Sequence, residues 1–118
     1  MKRQGKIKIR KRPPARIILS TFASVVQAKR IGRGLVGRQL AACCNVIPAL
    51  ASFFVWKGRT EEAREALLLV KTSVSRLPQA LDYVKRHHPY ELPELLVLSL
   101  EAAEASYLKW IMESCKER

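Results

Sequence analysis

Apolar and polar positions along this chain switch between the period of a strand and that of a helix. Residues 16–22 are a β-branched, apolar run and predict a buried strand. Ser24 suits the N-cap of a helix reaching about residue 39, with Ala28, Ile31 and Leu35 on one face. Gly32, Gly34 and Gly37 fall inside that helix, and each weakens it by about 1 kcal/mol relative to alanine. Residues 42–48 and 50–56 predict strand, with Pro48 marking a bulge, kink or edge. Lys57-Gly58-Arg59 is a turn in which glycine supplies a positive φ. Residues 60–72 are ambiguous. Their first half has helix-forming composition and local propensity leans that way, whereas Leu67-Leu68-Leu69-Val70 suits a buried strand. Residues 75–87 form a clearer helix, with Pro78 in its first turn and Lys85, Arg86 and His87 at its C-terminal end. Residues 95–100 predict a buried strand. Leu108, Ile111, Met112 and Cys115 define a last amphipathic helix over 107–115.

The order is βαββαβ plus a terminal helix, the split-βαβ plan of an α+β, ferredoxin-like fold. Helices would cover one face of its sheet. The other face and the edges would then need a partner.

Charge refines the organisation. The 118 residues carry a net charge of +12, and residues 1–16 hold eight basic side chains with no acid. Pro13-Pro14 closes that segment, so residues 1–14 read as a flexible basic arm and residues 15–118 as one domain. The arm permits contact with nucleic acid or another polyanion, but lacks interleaved aromatics for base stacking; it reads first as a solvated tail. The basic start followed by an apolar stretch also imitates a signal peptide, with Ala28 near a cleavage point. A core strand is preferred there, because cleavage would remove an element the fold needs. No apolar run reaches the ~18–20 residues of a membrane-spanning helix. Three cysteines suit a reducing, cytoplasmic setting rather than a disulfide scaffold.

Candidate chemistry is sparse. The string Gly32-Arg33-Gly34-Leu35-Val36-Gly37 matches a dinucleotide fingerprint, yet it sits inside a helical pattern and no acid follows at the ~20-residue offset; small residues for close packing explain it. Cys43 and Cys44 would point to opposite strand faces and cannot share one metal. His87-His88 diverge by about 100° on a helix and form no chelate, though Pro89 pins one ring where it can face a cleft. Tightly bound copper or zinc wants three or four ligands, so others would come from another strand or chain. His88-Pro89-Tyr90-Glu91 groups acid–base side chains with no nucleophile at a fixed spacing, so an enzyme reading is weak. Trp56 and Trp110 suit core or interface.

Several motifs fall in one order: Leu40-Ala41-Ala42-Cys43-Cys44-Asn45-Val46-Ile47-Pro48, Trp56-Lys57-Gly58-Arg59, Val70-Lys71-Thr72, His87-His88-Pro89-Tyr90-Glu91-Leu92-Pro93-Glu94 and Tyr107-Leu108-Lys109-Trp110. Together they resemble the CutA family of divalent-cation tolerance proteins across residues 16–115. The resemblance implies a ferredoxin-like subunit in a PII-like homotrimer, with residues 63–74 a strand paired to 50–57. It implies a non-enzymatic role in tolerance of divalent cations, with copper as the bound metal. The family's copper site pairs a cysteine with the histidines of its H-P-Y segment. Those histidines match His87 and His88, with Glu91 nearby, and the cysteine position holds Ser20, a poor copper ligand. Metal binding is therefore expected to be weak. Clefts between subunits would be lined by Trp56, Lys71, Tyr90, Tyr107 and Trp110. The alternative is a PII-like signalling or scaffold trimer holding a small anion or a partner peptide in those clefts.

Overall fold

The computed structural model describes residues 6–116. The elements run β1 (Ile9–Lys11), β2 (Ala15–Phe22), α1 (Val25–Gly37), β3 (Cys43–Trp56), β4 (Arg59–Ser73), α2 (Leu77–His87), β5 (Leu96–Ser99), β6 (Ala102–Glu104) and α3 (Ala105–Ser114). Four strands form an antiparallel sheet in the order β3-β4-β2-β5. With α1 after β2 and α2 after β4, this is the ferredoxin-like arrangement.

Period-two burial decides which face the helices take. Ile18, Ser20 and Phe22 on β2 and Ala66, Leu68 and Val70 on β4 are all buried. They meet Ala28, Ile31 and Leu35 of α1 and Ala80 and Val84 of α2. Burying these side chains supplies most of the driving force, about 1.5–3 kcal/mol for each large one. The opposite face carries Glu65, Leu67, Leu69 and Lys71, and no helix of the main core covers it. A second cluster joins Ala15 and Ala42 to Leu108, Ile111 and Cys115 and seats α3.

The stretch 60–66, which local propensity assigns to helix, is strand. Residues 59–65 pair one for one with β3, from Trp56↔Arg59 to Leu50↔Glu65, and Ala66 pairs with Phe22 of β2. A two-residue turn starts the pairing, with Lys57 at φ +50° and Gly58 at φ +77°. Two positive φ values are the signature of a type I′ hairpin, whose twist matches the strands it joins. Long-range pairing thus outweighs a few tenths of a kcal/mol of helix preference per residue. The register shifts between Ile47 and Leu50, where Pro48 cannot donate to the ladder and Ala49 sits at φ +59°.

The flexible arm expected over residues 1–14 is corrected in its second half. Ile9–Lys11 form β1, antiparallel to β6, and Arg12 N–H donates to Glu101 O at 2.8 Å. The alternation Ile7-Lys8-Ile9-Arg10 is a strand pattern that the charge count concealed. Residues 1–5 lie outside the described residues.

The end of α1 closes as a Schellman motif. Leu40 N–H donates to Leu35 O at 2.9 Å and Gln39 N–H to Val36 O at 3.1 Å, with Gln39 at φ +59°. Glycine is the usual residue at that position, since it has no Cβ to clash. Gln39→Gly is expected to raise stability by about 0.5–1 kcal/mol, read as a higher denaturant midpoint at unchanged slope. An unchanged or lower midpoint would show that Gln39 is not strained.

Candidate functional site

The paired histidines sit where α2 ends against Pro89, and the structure gives them different roles. His87 Nδ1 lies 2.8 Å from Tyr83 O, one turn back along the helix. A carbonyl only accepts, so Nδ1 carries the proton and Nε2 keeps its lone pair. The ring stacks on Tyr83 with centroids 4.2 Å apart, and it is exposed. Tyr83 is held from α1: Arg38 Nη1 donates to its hydroxyl at 3.3 Å and the guanidinium lies 5.0 Å from its ring centroid. Gly34 makes room for this contact, because a Cβ there would run into the Tyr83 hydroxyl.

His88 points the other way, towards the sheet. Its Nε2–H donates to Thr21 O at 2.9 Å, while Nδ1 accepts the N–H of Tyr90 at 3.1 Å. The ring stacks on Phe22 at 4.2 Å and 16°. Both nitrogens are therefore used by the fold. Burial pushes His88 below the ordinary imidazole range, against opposing pulls from the Thr21 carbonyl and the Glu65 carboxylate.

On the uncovered face, the distal half of β3 and residues 89–94 enclose a cavity of about 950 Å³. Trp56, Phe53, Phe54, Tyr90, Glu65, Glu91 and Glu94 line it. Glu65 is only 9% exposed and accepts the Tyr90 hydroxyl at 2.7 Å. Burial, then this hydrogen bond, raises the Tyr90 phenol well above its usual range. Burial and the neighbouring Glu65 also raise the Glu94 carboxyl. Sequence reasoning missed Glu65 and Glu94. A strand reading of 59–73 would have flagged Glu65, since period two puts a carboxylate on one face with Leu67 and Leu69.

The residues that resemblance assigned to one cleft fall into two groups. Trp56 and Tyr90 line the cavity. Lys71, Tyr107 and Trp110 cluster elsewhere, with Lys71 Nζ 5.8 Å from the Tyr107 centroid and the two aromatic rings 5.5 Å apart. Lys71 pairs with Cys43, thirteen residues along β3 from Trp56. That is about 40 Å of strand, so one chain cannot bring the two groups together.

The proposed metal ligands do not assemble within one chain either. Ser20 is fully buried on the helix-covered face, its hydroxyl without a hydrogen-bond partner among the described residues. Glu91 lines the large cavity, whereas His87 borders a smaller one with Asp82 and Arg86. Among the described residues, no three His, Cys, Asp or Glu side chains gather into a metal cage. Cys44 offers no ready thiolate, because burial and the adjacent Cys43 push it up to about 12. A tight copper centre therefore does not fit the single chain. His87 Nε2 is the open imidazole lone pair of the pair.

A family model described as CutA1 divalent ion tolerance protein matches residues 16–114. Protein CutA homolog of Xenopus laevis is 49% identical over 84 residues, covering 71% of this chain and 56% of that protein. The divalent-cation tolerance protein CutA of Thermus thermophilus is 39% identical over 98 residues, covering 83% and 95%. The chain spans about half the length of the first two curated relatives it matches, at 56% and 48%. Among solved structures, CutA from Synechococcus elongatus superposes with a TM-score of 0.88 at 29% identity, covering 92% of this chain and 96% of that one. The Thermus thermophilus protein gives 0.83 at 37% identity, covering 86% and 99%.

Proposed function

This chain belongs to the CutA1 divalent ion tolerance family, and we propose that it serves as a non-enzymatic homotrimer that takes up divalent cations weakly, copper among them, through His87. The observation that carries the reading is the His87–Tyr83 hydrogen bond. It fixes the proton on Nδ1 and leaves Nε2 facing outward, the arrangement by which a carbonyl prepares an imidazole for a metal. One such ligand per subunit gives weak binding, and the remaining positions go to water or to a neighbouring chain.

Exposed apolar surface supports the trimer. Phe53, Val55 and Leu92 are 69%, 70% and 70% exposed, and Leu96 on the edge strand β5 is 54% exposed. Patches of this kind mark association surfaces, and an open edge invites strand pairing. A second copy's hairpin tip would also bring its Trp56 group towards Lys71, Tyr107 and Trp110. Three free cysteines suit a reducing compartment, and we place the protein in the cytoplasm on that ground. No described helix is long and apolar enough to cross a membrane.

Copper titration at pH 7.5, followed by calorimetry, tests the ligand assignment. His87→Ala is expected to weaken binding by about tenfold or more. His88→Ala, in the fraction that stays folded, is expected to leave it within about threefold, since its nitrogens serve the backbone. Equal affinities in His87→Ala and wild type would remove the assignment. Affinity is also expected to fall on acidification, because coordination needs an imidazole nitrogen free of its proton.

A further inference from the structure

We infer that the outward stripe of α1, formed by Lys29, Arg30 and Arg33 and closed by Arg38, is a docking surface for the phosphate backbone of double-stranded nucleic acid. Charge is segregated in this fold. Residues 25–38 and 77–88 make up the helical layer, which carries six basic side chains against one acid, Asp82. Arg86 holds that acid at 3.1 Å. Other acids gather away from the layer, Glu61, Glu62 and Glu65 on β4 and Glu91 and Glu94 beside it. Successive helical residues turn by about 100°, so Lys29, Arg30 and Arg33 share the face opposite the buried Ala28, Ile31 and Leu35. All three are exposed.

Nothing inside the fold accounts for this stripe. α1 contains no acid, and among the described residues none of the three cations forms an ion pair. None lies in the last turn, where the helix dipole favours positive charge. Like charges three and four residues apart repel and weaken a helix. An external polyanion is the partner that offsets this repulsion.

The surroundings select which polyanion. Guanidinium forks take phosphate oxygens two at a time, and three of the four cations are arginines. Single strands need exposed rings for base stacking, whereas the one tyrosine of the layer, Tyr83, is half-buried beneath Arg38 and His87. A helix lying on a membrane inserts its apolar face, and that face of α1 is committed to the core. The helix is also tied to its neighbour, with Arg38 Nη1 donating to Tyr83 Oη at 3.3 Å. Its outer side chains therefore meet backbone phosphates, a contact that carries no sequence preference. The stripe is separate from the apolar hairpin and the β5 edge assigned above to further copies, because it belongs to the helical layer and is charged. It also differs from the basic side chains of β1, which sit on the small sheet with β6.

Fluorescence anisotropy with labelled DNA duplexes of two unrelated sequences, in metal-free buffer across a salt series, tests this. Both duplexes are expected to bind with equal affinity. Arg30→Gln/Arg33→Gln is expected to weaken them by at least about tenfold at low salt and to lower the salt slope of log affinity by about 2. Glutamine matches arginine in helix propensity, so circular dichroism and oligomeric mass are expected to stay unchanged. Lys8→Gln/Arg10→Gln on β1 is expected to stay within about threefold, since screening limits the reach of charges outside the contact. Wild-type affinity in the α1 variant would overturn the proposal, as would no duplex binding by the wild type or a loss found only in the β1 variant. Binding of phosphatidylserine vesicles or polyglutamate in place of the duplexes would overturn it too. A fall in oligomeric mass in the α1 variant would do the same, because the stripe would then be an interface between copies.

Discussion

Phe22→Ala is expected to destabilise the fold by about 3–5 kcal/mol, measured by denaturant unfolding at fixed protein concentration. Phe22 is fully buried in the main core, and it packs with Ala28, Leu35 and Val84 of both helices. Its ring is also the platform for His88. Truncation opens a cavity at the end of β2 and frees the segment that carries Tyr90. Phe22→Leu keeps most of the volume and loses mainly the ring stack, so it is expected to cost only about 1–1.5 kcal/mol. If Phe22→Ala cost less than about 1 kcal/mol, the His88 corner would not be anchored through this ring.

His88→Ala is expected to cost about 2–3 kcal/mol. It leaves the Thr21 carbonyl and the Tyr90 N–H without partners and removes a stacked ring. The pH dependence has a defined sign. The folded state holds His88 below its ordinary pKa, so the unfolded chain binds its proton first as pH falls. The stability it contributes is complete above about pH 6.5 and declines as pH drops below that value. Glu94 acts in the opposite sense. Its raised carboxyl favours the protonated folded form, so its contribution grows as pH falls into the acid range. Metal-free denaturation of wild type between pH 7.5 and 5.5 is expected to show falling stability, with a shallower fall in His88→Ala. Parallel curves would mean that burial does not hold His88 neutral in the folded state.

The sequence made the element order, the hairpin turn at Lys57-Gly58 and the terminal α2 signal legible, because each rests on local periodicity or on a residue with restricted φ. It did not disclose β1 and β6. Three-residue strands bury little, and their pairing of Ile9 with Glu104 depends on contacts ninety-five positions apart. Residues 60–66 misled for a related reason: helix-forming side chains were overruled by a partner strand. The site was legible as a set of residue types and not as an arrangement. His87 and His88 are neighbours in the chain, yet a carbonyl at Tyr83 and another at Thr21 send them to different tasks. Glu65 went unnoticed because the helix-leaning reading of its segment hid the period-two pattern that sets it on one face with Leu67 and Leu69. Ser20 shows the converse. It was noted as a ligand position, but it lies in the core with a hydroxyl that costs free energy to bury. Ser20→Ala is therefore expected to be neutral or to raise stability by up to about 1–2 kcal/mol, and a clear loss on chemical denaturation would reveal a hydrogen bond to that hydroxyl.

What the functional reading asks of the fold is that two further copies cover the apolar hairpin and the β5 edge. Sedimentation equilibrium on the folded protein is the direct measurement. Three copies of a 13.4 kDa chain predict a species of about 40 kDa that persists on dilution; a single species at the mass of one chain, with native circular dichroism, would contradict it.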